Sequence, residues 1–293
     1  MNAATVPYAV TGATGQIGSR VARRLAAAGA EQRLIVRDPS RVPTLPGVEV
    51  ATAQYRDGDA MRAALTGVDT LFLVSAAESA DRVFEHLTAV RAAAAAGVRR
   101  VVYLSFLGAA PQATFTLARH HWATEEALRA TGLEFTFLRD SLYADSLPAM
   151  TSAEDRTIRG PAGQGLVGVV ARDDVCDVAA AILLADGQHD HDGRTYDLTG
   201  PEAITLDQAA DAISAATGRP VHFHNETTAE AYQSRDRYDA AVWEVDGWVS
   251  SYLAIAAGEL AAVTDTVSRL TGHPAMSFAD LLRRRPELSG HLR

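Results

Sequence analysis

Two hydrophobic periods alternate along this chain. Apolar-rich stretches of strand length occupy residues 8–10, 32–36, 48–53, 70–74, 100–104 and 134–138, and the run at 70–74 is near-continuous. Runs of that kind suit strands covered on both faces. Between them the apolar positions recur at helical spacing. Val21, Ala22, Leu25, Ala26 and Ala28 lead up to Gly29, a second helix runs to Leu65, an alanine-rich one covers 80–96 and stops at Gly97, and another covers 116–130 before Gly132. Strands alternating with helices predict a parallel, doubly wound α/β sheet with right-handed crossovers.

After Arg139 the alternation thins. Residues 140–150 read as a loop or short helix, and 151–166 as a connection containing glycine and proline. A strand is expected at 167–171, then a helix to residue 185 capped by Asp173 and Asp174, a strand at 195–198, a helix at 206–217 and a strand at 221–224. From Thr228 the pattern is helical, with Tyr232, Tyr238, Trp243, Trp248 and Tyr252 gathered there. The organisation expected is a nucleotide-binding domain over 1–150, with 167–200 returning to it, and a smaller α+β substrate or lid domain over 151–293. The aromatics suit a flat apolar substrate or the core of that smaller domain.

The first predicted strand runs into Thr11-Gly12-Ala13-Thr14-Gly15-Gln16-Ile17-Gly18 and then a helix. Gly12 permits the sharp turn, Gly15 lets the backbone approach a pyrophosphate, and Gly18 lets the helix pack close to the sheet. Free N–H groups at the helix start then face the phosphates. Strand, glycine turn and helix in that order make this a Rossmann-type dinucleotide site. The second strand ends in Arg37-Asp38-Pro39-Ser40-Arg41, 19 positions after Gly18. An acidic residue there binds the ribose of NAD, whereas an arginine favours the 2′-phosphate of NADP. Arg37 is read as the phosphate contact, with Arg41 as a second; the competing reading gives Asp38 the ribose. The small exit Ser75-Ala76-Ala77 of the fourth strand leaves room for a cofactor.

Net charge is −9 and pI about 5.5, which argues against nucleic-acid or anionic-membrane partners. All 27 basic residues are arginine, so no mechanism can use a lysine ammonium. The one cysteine, Cys176, excludes an internal disulfide and fits a reducing cytosol; it reads as a small apolar residue on a helix. No secretory leader or membrane span is expected, and a cytoplasmic location follows. His189-Asp190-His191-Asp192 has the composition of a metal cluster but reads as a solvated turn, and no metal site is expected.

Several stretches resemble the NmrA-like atypical short-chain dehydrogenase/reductases, most of all the bacterial NADPH:quinone oxidoreductases and triphenylmethane dye reductases. They are the glycine turn, Val36-Arg37-Asp38-Pro39, residues 96–105, 117–125 and 138–143, and the ending from Ala257. The resemblance covers nearly the whole length. It implies that Gly12, Thr14, Gly15, Gln16, Ile17 and Gly18 hold the pyrophosphate and Arg37 the 2′-phosphate of NADP(H). It implies that Val74, Ser75 and Ala76 lie along the adenosine, and that Ser105 and Phe106 lie towards the nicotinamide. Two departures stand out. Relatives often carry Asn at Asp140, and the Tyr-x-x-x-Lys pair of many family enzymes is absent. Where one branch keeps a catalytic lysine, this chain has His121.

Hydride transfer is the cofactor's own chemistry, and a quinone, dye or other conjugated electrophile needs little acid catalysis. His121 is the first candidate for any general acid, with Glu125 one helical turn on to orient it. The alternative is a structural pair. Tyr143 is a second candidate donor or a packing residue. The function expected is an NADPH-dependent reductase of small conjugated electrophiles. The rival is a non-catalytic NADP(H) sensor acting through a protein partner. Assembly into an oligomer is left open.

Overall fold

A computed structural model describes residues 6–185 and 189–292, so the reading of the chain's first five residues falls outside it. The elements come in the expected alternation: β1 (Val6–Thr11), α1 (Gly18–Ala27), β2 (Gln32–Val36), β3 (Val48–Thr52), α2 (Gly58–Leu65), β4 (Val68–Leu73), α3 (Arg82–Ala96), β5 (Arg100–Phe106), α4 (Thr116–Arg129) and β6 (Glu134–Asp140). There follow β7 (Thr157–Gly160), α5 (Arg172–Leu184), β8 (Arg194–Leu198), α6 (Leu206–Thr217), β9 (His222–Asn225), α7 (Thr228–Arg235), α8 (Val242–Ala256), α9 (Thr266–Thr271) and α10 (Phe278–Arg284).

A seven-stranded sheet has the order β3-β2-β1-β4-β5-β6-β8. β1 pairs in parallel with β2 on one side and β4 on the other, with Tyr8 opposite Gln32 and Thr70; β2 with β3 and β4 with β5 are also parallel. Ala9, Ile35, Leu71, Leu73, Val101 and Tyr103 join Met61, Leu65, Val90 and Leu128 in one core. Their sequence neighbours Val10, Leu34, Phe72 and Val102 are equally buried. Successive strand residues face opposite ways, so both faces are covered, which is why these strands read as apolar-rich stretches. The strand order reverses between β1 and β4. In open α/β sheets the crevice at the carboxyl ends of such a pair is where ligands bind.

The chain divides into two compact units. One holds the residues up to Phe106, with His120–Arg139 and Val175–Tyr196; the other holds Leu107–Arg119, Asp140–Asp174 and the residues from Asp197. In the first, α5 lies against the glycine turn and α1: the buried Cys176 thiol donates to the Ile17 carbonyl at 3.7 Å, and Arg24 pairs with Asp177 at 2.6 Å.

The second unit departs from the sequence reading in three places. Residues 167–171 form no strand of the sheet, only single bridges from Val167 to Ile204 and from Val170 to Tyr143. Their apolar run reflects burial: Gly168 donates to Leu260 O, and a Cβ on it would meet Ala262 O at 2.3 Å. The strand that does form is β7, in the stretch read as a connection, and it pairs in parallel with β9. Its sequence, Thr-Ile-Arg-Gly, carries too little apolar pattern to announce itself. Third, α5 begins at Arg172, whose N–H is capped from a distance by Asp145 at 2.9 Å. Asp174 instead accepts from the Met276 N–H at 2.7 Å.

The His189–Asp192 tract is less solvated than expected. His189 is exposed, but Asp192 is only 10% exposed and pairs with the buried Arg100 at 3.1 Å. Among the aromatics of the second unit, Tyr252 is buried against Gly160, whereas Tyr232 and Tyr238 are exposed, Tyr238 edge-on to Trp248.

Candidate functional site

The glycine turn takes the shape its sequence requires. Gly12 has φ +60°, a conformation side chains rarely tolerate. The Gly15 N–H folds back on Gly12 O at 2.8 Å. A Cβ on Gly18 would lie 2.4 Å from Gly12 O and 2.7 Å from Thr11 O, so α1 reaches the end of β1 only with glycine there. No side chain caps the start of α1, and its first turn holds no acidic residue. The Ser19 and Arg20 N–H groups bond back to Gly15 O and Ile17 O, and the remaining N–H groups of the turn, with the positive end of the helix dipole, suit an anion. Thr14 and Gln16 lie within the same turn, and Gln16 accepts from Arg20 at 3.2 Å.

At the end of β2, Arg37 is exposed. Asp38 is turned to local use. One of its carboxylate oxygens accepts from both the Ser40 N–H at 2.9 Å and the Ser40 hydroxyl at 2.7 Å, capping the short helical turn Pro39–Arg41. These bonds hold its pKa below the ordinary value.

The segment leaving β4 is held by side chains. The Val74 N–H donates to Thr11 Oγ1 at 2.9 Å, and the Tyr55 hydroxyl lies 2.6 Å from Val74 O. The Ala76 N–H donates to His86 Nε2 at 2.8 Å, and Arg82 Nε donates to Ala76 O at 3.0 Å. Arg82 Nη2 lies 3.0 Å from His121 Nε2, whose other ring nitrogen is 2.9 Å from the Tyr103 hydroxyl. Arg82, His86, Tyr103 and His121 are all buried. Burial, with the Arg82 charge second, pushes His86 down to about 3 and His121 well below its ordinary value. Both imidazoles are neutral at physiological pH.

Glu125 does not orient His121. Its carboxylate accepts from Ser105 Oγ at 2.6 Å and from Arg139 at 2.8 and 2.6 Å, with Arg129 at 3.2 Å. The Ser105 hydroxyl is thus engaged inside the unit, and Phe106 packs its ring 6.0 Å from that of His121. Tyr143 belongs to the second unit, where the Arg172 guanidinium lies over its ring at 4.6 Å. Asp140, the departure from Asn, is buried.

Sequence reasoning did not single out Arg82, His86, Tyr55 or Tyr103. One signal was there: Arg82 and His86 stand four apart on one face of an otherwise alanine-rich helix.

The NAD(P)H-binding family model matches residues 12–186. The chain belongs to this family. Among individual members, quinone oxidoreductase 2 of Escherichia coli is 32% identical over 93% of this chain and 96% of its own length. The NAD(P)H azoreductase of Xenophilus azovorans is 31% identical over 94% and 96%. A (4-alkanoyl-5-oxo-2,5-dihydrofuran-3-yl)methyl phosphate reductase of Streptomyces griseus is 37% identical over 92% and 95%. The crystal structure of E. coli QOR2 with NADPH superposes with a TM-score of 0.86, covering 94% of this chain and 99% of that one at 32% identity. Citrobacter triphenylmethane reductase with NADP(H) gives 0.83 at 29% identity, over 94% and 99%. The transcriptional regulator NmrA, at 18% identity and a TM-score of 0.73, is alike in fold. The doubly wound, NAD(P)H-binding reading of the sequence stands, and among the described residues no helix is long and apolar enough to cross a membrane.

Proposed function

We propose that this protein is a cytoplasmic NADPH-dependent reductase of small conjugated electrophiles. The observation that carries the reading is the uncapped start of α1 behind Gly12, Gly15 and Gly18, with Arg37 exposed at the end of the neighbouring strand. The helix N–H groups suit the pyrophosphate, and the guanidinium of Arg37 suits the 2′-phosphate, which it can meet with two parallel bonds. Asp38 is engaged by Ser40 and is not free to take a ribose hydroxyl in the way an NAD-binding acidic residue does. Bound there, NADPH supplies a hydride. The wall of residues 74–76 and the end of β5 at Ser105 and Phe106 orient the cofactor along the carboxyl edge of the sheet.

The named relatives support the substrate class. A quinone, an azo compound and an oxo-dihydrofuran share an electron-poor π system that spreads the charge left by hydride addition. Such acceptors need little acid catalysis, because the charge left by hydride addition is delocalised. That matches a unit whose buried histidines are neutral and whose chain has no lysine.

The test is stopped-flow oxidation of bound NADPH against quinones, azo compounds, cationic dyes and unsaturated lactones, with Arg37→Ala run in parallel. Turnover with members of this panel is expected, and NADPH binding without any turnover would favour the sensor. Arg37→Ala should weaken NADPH by about 10- to 100-fold and NADH little, the scale of a charge-assisted phosphate contact. Equal losses for both cofactors would remove Arg37 from the 2′-phosphate.

A further inference from the structure

Donor chemistry fixes the direction of the histidine and arginine bonds beneath the β4 exit. A backbone N–H can only donate, so His86 Nε2, which meets the Ala76 N–H, carries the lone pair. Its proton is then on Nδ1, which lies 2.8 Å from Thr124 Oγ1, and the Thr124 hydroxyl donates to His120 O at 2.9 Å. A guanidinium can only donate, so His121 Nε2 also carries a lone pair. Its Nδ1–H donates to the Tyr103 oxygen. Each imidazole is locked in one tautomer, and a second proton on either would set N–H against N–H.

This arrangement is a poor proton relay but a good brace. His121 receives Arg82, which fixes the guanidinium so that Nε meets Ala76 O. His86 takes the N–H of the same residue. Two residues earlier, Thr11 takes the Val74 N–H and Tyr55 meets the Val74 carbonyl. All four backbone polar groups of Val74 and Ala76 are thus bonded inward, by side chains from β1, the segment before α2, and α3. Ser75 between them is half-buried and spends none of its polar groups on the described residues.

Arg82 has a second feature. It is 4% exposed, forms no ion pair among the described residues, and its Nη1 lacks a hydrogen-bond partner. Arg37 follows β2 and Arg82 opens the helix after β4, so both cations stand at the carboxyl ends of the parallel strands. A buried cation without a counter-charge is costly. It is tolerable where an anion is to be bound.

We propose that Tyr55, Arg82 and His86 are positioning residues for the dinucleotide: they clamp Val74 and Ala76 from below and set the cleft wall before the cofactor arrives, with His121 acting through Arg82. Preforming the wall spares the bound state the ordering of a loop, which raises affinity without any direct contact.

The clamp rests on the reading of residues 74–76 as the cofactor wall, and the experiment separates the two. NADPH affinity is measured by nicotinamide fluorescence in the wild type, His86→Phe, His86→Gln and Tyr55→Phe, beside the thermal midpoint of each apoprotein. Glutamine places an oxygen where Nε2 stands, whereas phenylalanine keeps the volume and removes the acceptor. His86→Phe should weaken NADPH about tenfold, and His86→Gln should recover most of that. Tyr55→Phe, which loses one hydroxyl and nothing of the core, should weaken it about threefold, and it carries the test if His86→Phe does not fold. A merely structural His86 would lower both midpoints and leave the dissociation constant unmoved. Unchanged affinity in the folded variants, or a glutamine no better than phenylalanine, overturns the clamp and leaves the proposed function standing. A wild type that binds no dinucleotide overturns both.

Discussion

Two arginines are buried almost completely in the first unit, and the chain treats them in opposite ways. Arg100, at the start of β5, is 1% exposed; it pairs with Asp192 at 3.1 Å and donates to Thr136 Oγ1 at 2.9 Å. Arg82, at the start of α3, meets a neutral imidazole and a backbone carbonyl. Parallel strands point their amino ends one way and their carboxyl ends the other, so Arg100 sits at the closed end of the sheet and Arg82 at the end where ligands bind. A charge is neutralised where it serves only the fold and left uncompensated where an anion is expected. Burial is shared by the two arginines; the partner is what differs between them.

The largest expected effect comes from removing each cation in turn. Arg100→Met leaves the Asp192 carboxylate, which is 10% exposed, with the exposed His189 ring at 2.9 Å but without its buried guanidinium, and breaking one side of a buried pair costs about 3 kcal/mol or more. Urea unfolding should register that loss while NADPH affinity stays near wild type. Arg82→Met strands no carboxylate. Its stability loss should be the smaller of the two, and its NADPH affinity the lower. If both variants lose stability alike and neither loses affinity, the contrast between the two ends is spurious.

Acid should distinguish the same two regions. His86 is near 3 in the folded protein and near 6.5 when unfolded, so the unfolded chain binds the extra proton between those values. Stability from this group is complete above about pH 6.5 and falls as pH drops towards 3. His86 alone should cost about 2 kcal/mol at pH 5 relative to pH 7.5, and His121 adds to the loss. Carboxylates with depressed values, such as Asp69 beside Arg99, titrate lower and contribute mainly below about pH 4. Urea midpoints at pH 7.5 and 5 should therefore differ in the wild type and differ less in His86→Gln. An undiminished acid loss in that variant would place its origin elsewhere.

The fold was legible because its signals are local. The runs that became β1 to β6 carry their own apolar pattern, and the glycine turn is fixed by sterics within eight residues. β7 was missed because its strand character comes from pairing with β9, some 65 residues away in register. The cap of α5 was misassigned for the same reason: Asp145 reaches Arg172 across 27 positions, and nothing near Arg172 reveals it. The clamp joins residues 11, 55, 82 and 86 to residues 74 and 76, and no spacing rule connects those six. His121 was found by its place in the chain but given Glu125 as its orienter, because helical spacing makes neighbours without saying which way side chains turn. The turn of Glu125 towards Ser105 and Arg139 is decided by β5 and β6.

The smallest expected effect bears most directly on mechanism. A general acid drawn from histidine would show in the wild type as a fall in kcat with rising pH near the imidazole's own pKa. His121 is buried, faces the Arg82 cation on one nitrogen and Tyr103 on the other, and is packed near His86, His120 and Arg139. Burial and every one of those charges disfavour the imidazolium, so no inflection from His121 is expected between pH 6 and 8. Replacing it by Asn removes the acceptor that steadies Arg82 and strands no carboxylate. NADPH affinity should then drop about threefold or more, as for the outer parts of the clamp, while kcat at saturating cofactor and its pH profile stay nearly unchanged. A wild-type inflection near neutrality that vanishes in His121→Asn would return the proton to this imidazole and require a structure in which Nε2 is released from Arg82.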